Sequence, residues 1–475
     1  MSGSPIQFGT DGWRAVIADS FTFENVQKAA QAVSDHFQTK PVSGCDHEFV
    51  IGYDRRFLSD AFARSAAEVL AGNGWRVLLT KTPTPTPAIS WSVAKRKAMA
   101  GIMITASHNP PAFNGLKLKL HHGGPADENL CRSIESAIGK RKVRSLCFDD
   151  GIANGKIKVY DLHPVWFQAL KQLIDYRRVA NSRLNFAHEP LHGVGAGCFD
   201  QLLKGTRCKV RTFHAEHDPN FSGLNPEPIA RNYGPAANIL KDNPADFCLV
   251  TDGDADRIGG MDGNGNPLST HQIICLLLRH FVVNRKGRGR VVKALTTTSM
   301  VDRMCEKWNL PLTVTGVGFK YICNEMLQGD VLLGFEESGG IGFQNYVPER
   351  DGILSGLMIL EMLAMEKRPL RNLLAILEKD FGPHRYGRVD MHFPMNKRNH
   401  LMQRCAQNPP EKLLRSPVTQ VQDFDGVKLT AANGSWLMLR GSGTEPVLRI
   451  YAEAETEKQV GQLLKQGRRQ ALAAT

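Results

Sequence analysis

The stretch Thr105-Ala-Ser-His-Asn-Pro-Pro-Ala-Phe-Asn-Gly-Leu-Lys117 follows the apolar run Ala100-Gly-Ile-Met-Ile104. The apolar run is typical of a short buried strand. The stretch after it carries a hydroxyl, an imidazole, two prolines and a lysine, so Ser107 could be a nucleophile, a phosphate acceptor or a turn residue. Ligands bind beyond the carboxyl ends of strands in open parallel sheets. The sequence therefore predicts a strand followed by a functional loop.

The same order of apolar run and polar loop recurs along the chain, with helical patterns between the runs. The further predicted strands are Phe49–Gly52, Arg76–Thr80, Asp246–Thr251 and Asp330–Gly334. The loops that follow strands in this way include Gly52–Arg56, Asp252–Arg257 and Gly334–Gly340. This alternation favours an α/β fold built from several similar units whose loops face one cleft. We predict four domains, at 1–150, 151–262, 263–376 and 377–475.

Composition agrees with an ordinary globular chain of several domains. The chain has 475 residues, of which 42% are hydrophobic and 22% are charged. Its ten cysteines are scattered, which suits free thiols in a reducing compartment. No apolar signal segment opens the sequence, and its apolar windows are too short or too interrupted to cross a bilayer. We expect a soluble cytoplasmic protein without a membrane partner.

The chain carries a formal net charge of +12, which could serve nucleic-acid binding or the binding of a small anionic substrate. The basic residues are spread out, apart from short runs such as Lys140–Lys142 and Arg285–Arg290. Neither run is interleaved with aromatic residues that could stack on bases. We therefore expect no nucleic-acid partner.

Three carboxylates follow the predicted strand that ends at Thr251. Asp252, Asp254 and Asp256 are spaced by two residues, so in a turning loop they can converge on one hard divalent cation. Without a cation, clustered carboxylates should raise one another's pKa. The pattern fails as an EF-hand because Arg257 and Gly263 stand where that loop needs Gly and Glu. We predict a Mg²⁺ site, with a solvated acidic turn as the alternative.

A second polar loop, Arg440-Gly-Ser-Gly-Thr-Glu-Pro446, lies near the C-terminus. It combines a fixed cation, two hydroxyls and several backbone N–H donors, a combination that can wrap a phosphate. Arg449 could add a second cation. The alternative is a glycine-rich turn between strands.

Two patterns suggest other chemistry and are rejected. His188-Glu-Pro-Leu-His192 matches the HExxH zinc pattern, but Pro190 prevents the helix that this chemistry needs. Gly193-Val-Gly-Ala-Gly197 lacks the full spacing of a dinucleotide-binding loop. Neither zinc nor a dinucleotide is expected.

Ser107 fits a hydrolase triad poorly, because it has no nucleophile-elbow motif and the imidazole of His108 cannot readily reach its neighbour's hydroxyl. Beside a metal loop and a phosphate loop, a hydroxyl can instead carry a phosphoryl group. We expect Asn114-Gly115 to turn the chain, so that Lys117 returns to the site as a general acid or base.

Together these loops resemble the α-D-phosphohexomutase superfamily, which includes phosphoglucomutases and phosphomannomutases. The resemblance covers essentially the whole chain. The motifs that carry it stand in the order of the family: FGTDGWR at 8–14, TASHNP at 105–110, NGLK at 114–117, DGDADR at 252–257, EES at 336–338 and RGSGTEP at 440–446.

The resemblance implies four domains around a central cleft: three related α/β domains with mixed sheets and a C-terminal α+β domain. It implies a phosphoserine at Ser107 and Mg²⁺ held by the seryl phosphate together with Asp252, Asp254 and Asp256. The other residues that it places in the active site are Arg14, His108, Lys117 and Arg257. Those that it assigns to the sugar and its phosphates are Lys293, Gly318, Lys320, Glu336, Ser338, Arg440, Ser442, Gly443, Thr444 and Arg449.

The activity implied is interconversion of hexose 1-phosphate and hexose 6-phosphate through a hexose 1,6-bisphosphate, which also serves as activator. Gly339-Gly340 and Phe319-Lys320 depart from common family residues, which leaves the sugar open. We expect glucose 1-phosphate to be favoured and mannose 1-phosphate to be accepted. The alternatives are a phosphoglucosamine mutase and a catalytically silent sugar-phosphate-binding relative. The expected assembly is a monomer or a homodimer.

Overall fold

A computed structural model describes residues 6–9, 11–442 and 446–473 of the chain. The fold divides into two compact units. The larger unit comprises residues 1–287 and 318–371, and the smaller unit comprises residues 288–317 and 372–475. Strands and helices are numbered along the whole chain.

The first sheet of the larger unit has seven strands. They are β1 (Phe8–Gly9), β2 (Gly12–Val16), β3 (Asp46–Tyr53), β4 (Arg76–Thr80), β5 (Ala98–Ile104), β6 (Phe113–Leu120) and β7 (Ile157–Tyr160). Their order is β1-β2-β6-β5-β3-β4-β7. The strands β5, β3, β4 and β7 run parallel to one another, whereas β1, β2 and β6 form antiparallel pairs. The sheet is therefore mixed, as predicted.

Helices cover both faces of this sheet, which explains why its central strands read as continuous apolar runs. The helices of this region are α1 (Phe23–Thr39), α2 (Ser59–Gly72), α3 (Thr86–Arg96), α4 (Glu128–Ala137) and α5 (Phe148–Ala153). Within β3, Phe49 and Ile51 pack in the cluster that contains residues of α1 and α2. Val50, between them, packs with Ile89 and Val93 of α3.

A second, five-stranded sheet follows in the larger unit. Its strands are β8 (Asn185–Glu189), β9 (Lys209–Thr212), β10 (Phe247–Thr251), β11 (Ile258–Asp262) and β12 (Pro267–Leu268). Their order is β12-β11-β10-β8-β9. The helices here are α6 (His163–Gln172), α7 (Tyr176–Asn181), α8 (Cys198–Leu202) and α9 (Gly234–Asp242), with 3-10 turns at Phe221–Gly223 and Ala230–Asn232. The antiparallel turn between β10 and β11 carries the three aspartates.

His188 of β8 is fully buried, and one ring nitrogen lies 3.0 Å from the Thr251 hydroxyl. The other ring nitrogen has no hydrogen-bond partner within the described part of the chain. Burial lowers the pKa of His188 to about 3. Below about pH 6.5, His188 is protonated in the unfolded chain but stays neutral in the folded chain. The free energy of unfolding therefore falls as the pH drops from about 6.5 toward 3.

We predict that His188→Gln makes the free energy of unfolding less dependent on pH. The free energy of unfolding should fall less steeply below pH 6.5 than in the wild type, by up to ~1.4 kcal/mol per pH unit, the effect of one proton. Urea unfolding at several pH values between 4 and 7 measures the slope. Parallel profiles for His188→Gln and the wild type would refute the prediction.

The larger unit is completed by residues that follow both sheets in sequence. They form α10 (Thr270–Arg279), a π-helical turn (His280–Asn284), α12 (Phe319–Leu327), β15 (Val331–Phe335), β16 (Ile341–Phe343) and α13 (Gly352–Glu366). The strands β15 and β16 pair antiparallel around the loop that carries Glu336. Asp351 caps α13 by accepting a hydrogen bond from the Leu354 amide.

The smaller unit contains a parallel pair and a six-stranded antiparallel sheet. The parallel pair is β13 (Arg290–Ala294) and β14 (Leu312–Thr315), with α11 (Met300–Trp308) between them and most of α14 (Leu370–Phe381) in the same unit. The larger sheet comprises β17 (Arg385–His392), β18 (Lys412–Leu413), β19 (Ser416–Gln422), β20 (Val427–Ala431), β21 (Trp436–Gly441) and β22 (Val447–Ala454), with helices α15 (Met395–Gln407) and α16 (Glu457–Leu472). Its order is β17-β22-β21-β20-β19-β18.

The predicted strands before the polar loops are confirmed as β3, β4, β5, β10 and β15. The proposed domain breaks stay predictions. The break near 150 falls inside α5, the break near 262 falls at the end of β11, and the break near 376 falls inside α14. Among the described helices, none is both long and apolar enough to cross a membrane.

Candidate active site

Ser107 lies in the loop between β5 and β6, and its side chain is buried. Its backbone has a φ of +53°, the left-handed region that side-chain-bearing residues rarely adopt. The Ser107 hydroxyl donates a hydrogen bond to the Asp252 carboxylate at 2.8 Å. The candidate nucleophile thus contacts a member of the predicted metal loop directly.

The prediction that Asn114-Gly115 forms a turn is wrong, because both residues lie inside β6. Gly115 is needed there for close packing, since a Cβ atom would lie 2.6 Å from the carbonyl oxygens of Thr105 and Trp13. The chain reverses earlier, within residues 105–112, and β6 then runs back antiparallel to β5. Lys117 returns to the site through this strand pairing.

The three aspartates after β10 form a compact set of oxygen ligands. One carboxylate oxygen of each lies within 4.8 Å of those of the other two, and all three side chains are buried. Within the described residues, Oδ1 of Asp254 and Oδ1 of Asp256 are buried and have no hydrogen-bond partner. Buried carboxylate oxygens without donors are costly. The donor set therefore fits a hard divalent cation such as Mg²⁺.

Lys117 neutralises the other side of this cluster. Its ammonium nitrogen lies 2.8 Å from both Asp254 and Asp256 and 2.9 Å from Asp11. Burial would lower the pKa of Lys117, but the three carboxylates outweigh burial and raise it. In the structure, Lys117 is therefore a fixed cation, and its role as a general acid or base stays a prediction.

The expectation that all three aspartates have raised pKa values is confirmed for only one of them. Burial and the two neighbouring carboxylates raise the pKa of Asp252 well above its usual value. Burial also acts to raise the pKa of Asp254 and Asp256, but Lys117 beside the first and Arg350 beside the second lower both pKa values overall. The sequence placed Lys117 in the site but did not indicate its pairing with these carboxylates, and it gave no indication of Arg350.

The loop between β5 and β6, residues 105–112, is called the serine loop; it contains His108, and Arg14 and Arg257 contact it. Arg14 donates to the Asn109 side chain at 2.7 Å, and Arg257 lies 3.0 Å from Nδ1 of His108. Burial, followed by the charges of Arg257 and Arg14, lowers the pKa of His108 well below its usual value. His108 is consequently neutral at physiological pH, with Nδ1 as the acceptor of the Arg257 hydrogen bond.

The polar loop Gly334–Gly340, which carries the predicted sugar ligands Glu336 and Ser338, adjoins the metal loop at residues 252–257. Glu336 is buried, and its Oε1 accepts hydrogen bonds from Ser338 at 2.7 Å and from Arg350 at 3.2 Å. Gly339 has a φ of +92°, and a Cβ atom there would lie 2.0 Å from the Ile258 carbonyl oxygen. The glycine allows the loop to hydrogen-bond to β11 directly after the metal loop.

Several charged residues of the site were missed by sequence reasoning. Arg350 contacts Asp256 at 2.9 Å and also pairs with Asp11 and Glu349. Lys119, fully buried, pairs with Glu349. These residues come from three separate parts of the chain, and no spacing links them. Only Asp11 lies inside one of the sequence motifs, FGTDGWR at 8–14.

Gly318 directly precedes α12 and has a φ of +132°, and Lys320 lies in the first turn of that helix. The Lys320 ammonium group pairs with Glu128 of α4 and lies over the Tyr321 ring, 5.0 Å from its centroid. In the structure, Lys320 is thus engaged by an acidic residue of the first sheet region. Its predicted contact with the sugar stays a prediction.

The predicted phosphate loop joins β21 and β22 of the smaller unit. Arg440 and Arg449 stand directly opposite each other in the antiparallel register of these strands. Like charges placed opposite each other destabilise a sheet, although Asp425 lies 2.9 Å from Arg440 and Asp390 lies 3.8 Å from Arg449. Such an arginine pair is suited to an anion. Ser442 is buried next to this pair, whereas Gly443 and Thr444 lie outside the described residues.

Lys293 of β13 is also in the smaller unit and is 2% exposed. Its ammonium group donates to the carbonyl oxygens of Thr297 and Thr298 and pairs with Asp302. These contacts favour a structural role over the predicted role in sugar binding.

The two rejected patterns have structural explanations. His188 and Glu189 belong to a strand, and His192 contacts Ser222 at 2.9 Å, so no HExxH helix exists. In the glycine-rich segment, a Cβ atom on Gly193 would lie 2.8 Å from the Gly253 carbonyl oxygen. Gly193 thus allows close packing against the metal loop.

Comparison with known proteins agrees with this geometry. Four family profiles match in order: phosphoglucomutase/phosphomannomutase alpha/beta/alpha domain I at residues 5–144, domain II at 164–265, domain III at 269–380 and the C-terminal domain at 403–470. Together they show a four-domain α/β architecture.

Individual relatives match over nearly the whole chain. A phosphoglucomutase/phosphomannomutase of Thermococcus kodakarensis is 27% identical over 97% of each chain. A probable phosphoglucosamine mutase of Methanothermobacter thermautotrophicus is 28% identical over 96% of this chain and 95% of its own. The crystal structure of a putative phosphomannomutase from Thermus thermophilus is 36% identical, covers 98% of this chain and 99% of its own, and superposes with a TM-score of 0.86. The chain belongs to the phosphoglucomutase/phosphomannomutase family and is an intramolecular phosphotransferase of carbohydrate metabolism.

Proposed function

We propose that the enzyme interconverts hexose 1-phosphate and hexose 6-phosphate through a phosphoserine at Ser107 and a hexose 1,6-bisphosphate. The observation that carries this proposal is the contact between Ser107 and the aspartate cluster. A buried hydroxyl lies 2.8 Å from Asp252, beside two carboxylate oxygens without donors. A serine next to a cation site is suited to carrying a phosphoryl group.

Asp252, Asp254 and Asp256, together with the seryl phosphate, would hold Mg²⁺. The cation would neutralise the negative charge of the phosphoryl group during transfer. Lys117 balances two of these carboxylates from the other side, so the cluster does not depend on the cation alone for charge compensation.

The proposed reaction begins with phospho-Ser107. The free 6-hydroxyl of the hexose 1-phosphate gives up its proton and forms a new bond to phosphorus, while the bond between phosphorus and the seryl oxygen breaks and that oxygen takes up a proton. The resulting hexose 1,6-bisphosphate returns its original phosphoryl group to Ser107 and leaves as the 6-phosphate. His108, Lys117 and Arg14 are the residues that we assign to proton transfer and charge stabilisation around this step.

The remaining predicted residues would bind substrate. Glu336 and Ser338 offer an acceptor and a hydroxyl for the sugar, and they already hydrogen-bond to each other. The phosphate that is not transferred would be bound by the arginine pair and its loop: Arg440, Ser442, Gly443, Thr444 and Arg449. Arg257, Gly318 and Lys320 complete the proposed substrate set.

We propose glucose 1-phosphate as the favoured substrate, with mannose 1-phosphate accepted. Phosphoglucosamine mutase is the second candidate, because a relative with that name is as similar as the relative named for glucose and mannose. A cytoplasmic location and a monomeric or homodimeric state stay predictions.

The test of the substrate compares turnover of glucose, mannose and glucosamine 1-phosphates with Mg²⁺ and the matching hexose 1,6-bisphosphate present. We expect the highest kcat/KM for glucose 1-phosphate and measurable turnover of mannose 1-phosphate. A preference for glucosamine 1-phosphate would overturn the choice of sugar and leave the phosphoserine mechanism in place. No turnover of any of the three would favour the silent relative.

A further inference from the structure

Arg56 is buried beneath the serine loop. Among the described residues, it is the one arginine that donates to four backbone carbonyl oxygens here, three in the loop and one at the first residue of β6. Its NH1 group donates to the carbonyl oxygens of Pro110 at 2.8 Å and of Phe113 at 3.0 Å. Its NH2 group donates to those of Ser107 at 2.7 Å and of Asn109 at 2.6 Å. A single guanidinium group therefore hydrogen-bonds to four backbone carbonyl oxygens around Ser107.

Asp54 connects the backbone amide of Ser107 to Arg56 through hydrogen bonds and an ion pair. Its Oδ2 lies 3.2 Å from Nε of Arg56 and accepts a hydrogen bond from the Thr105 hydroxyl at 2.6 Å. That hydroxyl in turn accepts a hydrogen bond from the Ser107 amide at 2.8 Å. Both polar backbone groups of Ser107, the amide and the carbonyl, are thus held by the pair of Asp54 and Arg56.

The position of Ser107 requires such support. Its left-handed backbone is unfavourable for a residue with a side chain, and unfavourable backbones persist where surrounding contacts over-determine them. Space is also limited on the metal side, because a Cβ atom on Gly253 would lie 2.5 Å from the Ser107 carbonyl oxygen. The Ser107 hydroxyl contacts Asp252 only when the loop is held in this position, so a small shift of the loop would break that contact.

We propose that Arg56 is a positioning residue for phosphoryl transfer. It fixes the backbone of the serine loop so that the Ser107 hydroxyl faces the aspartate cluster, and it does not contact the reacting atoms. The proposal rests on the phosphoserine function proposed above. Lysine cannot replace Arg56, because its three donors radiate from one atom, whereas the two terminal nitrogens of the guanidinium group reach four separate carbonyl oxygens.

The test is Arg56→Lys in the full-length enzyme. We expect kcat to fall by about 30-fold to 100-fold, as misplacement of a reacting group by about 1 Å can cause. KM for the hexose 1-phosphate should stay within about threefold, because uniform binding of substrate is unchanged. Phosphorylation of Ser107 by hexose 1,6-bisphosphate, followed by mass spectrometry, should slow to a similar extent.

Arg55 provides a matched control. It is the adjacent arginine and also donates to backbone carbonyl oxygens, those of Ala215 and Glu216, away from the serine loop. Arg55→Lys should retain kcat within about threefold on the same physical argument. A wild-type kcat in Arg56→Lys, with the wild type active and Ser107→Ala inactive, overturns the positioning role while leaving the proposed function intact. An inactive wild type would instead reject the proposed function.

A second pair of variants tests the positioning of Ser107 if Arg56→Lys does not fold. Thr105→Val removes the hydroxyl between Asp54 and the Ser107 amide, and Thr105→Ser keeps it. We expect kcat to fall by about tenfold in the valine variant, with KM nearly unchanged, and to recover in the serine variant. Equal kcat values in the two variants would contradict the proposal.

Discussion

Ser107→Ala is expected to abolish mutase turnover, with kcat lowered by at least ~10⁴-fold, while the protein stays folded. The hydroxyl is the proposed carrier of the phosphoryl group, and loss of a nucleophile removes the whole covalent route. Structurally, the change removes one oxygen that donates one hydrogen bond, to Asp252. Circular dichroism and thermal unfolding should match those of the wild type, and a coupled assay with glucose 1-phosphate measures the lost activity.

Ser222 provides the matched control for this variant. It too is a serine in the left-handed region, with a φ of +52°, and its hydroxyl contacts His192. Ser222→Ala therefore reproduces the chemical change at a similar backbone but outside the proposed site. It should keep wild-type kcat. Normal turnover in Ser107→Ala would reject the phosphoserine mechanism.

Asp252→Asn is expected to remove the response of the protein to Mg²⁺. The wild type should be stabilised by about 2.7 kcal/mol when Mg²⁺ is present at 100 times its Kd, and the variant should show no such gain. Because burial and its neighbours raise the pKa of Asp252, its charged form is unfavourable without the cation. The cation-free variant should therefore be at least as stable as the cation-free wild type, and its kcat should be lower by roughly 10³-fold.

Thermal unfolding with EDTA and with increasing Mg²⁺ measures the first two effects without reference to activity. Asp262 is the control, because one of its oxygens also accepts two backbone N–H groups, from Asn264 and Asn266. In Asp252 the corresponding donors are the amides of Asp256 and Arg257. Asp262→Asn should keep the full Mg²⁺ response. A full response in Asp252→Asn would remove Asp252 from the metal site.

The fold was predictable where local sequence determines it. The apolar runs that form β3, β5, β10 and β15 are buried on both faces or lie in short hairpins. They can therefore be recognised from the local sequence alone. Asn114-Gly115 was misread because the pair is a strong turn signal locally. Its place in β6 is decided by packing of Gly115 against the backbone of Trp13 in β2 and of Thr105 just after β5, which is a tertiary effect.

The site was predictable for residues that cluster in sequence, such as the three aspartates. It was not predictable for the cations that balance them. Lys117 was assigned to the site, but its pairing with Asp11, Asp254 and Asp256 depends on the alignment of two distant loops. Arg350 gave no signal at all. Arg56 lies in a loop that was noticed, yet its contacts run to residues about fifty positions later in the chain.

Whether Ser107 carries the phosphoryl group decides the proposed mechanism, and a single experiment can observe it. The purified enzyme is incubated with glucose 1,6-bisphosphate and Mg²⁺, digested and analysed by mass spectrometry, before and after addition of glucose 1-phosphate. We expect one phosphoryl group on Ser107 after the bisphosphate is added. If that group is isotopically labelled, the label should pass to the sugar when unlabelled glucose 1-phosphate is added, while Ser107 is phosphorylated again by the substrate's own phosphoryl group. Turnover by an enzyme whose Ser107 never carries phosphate would contradict the mechanism.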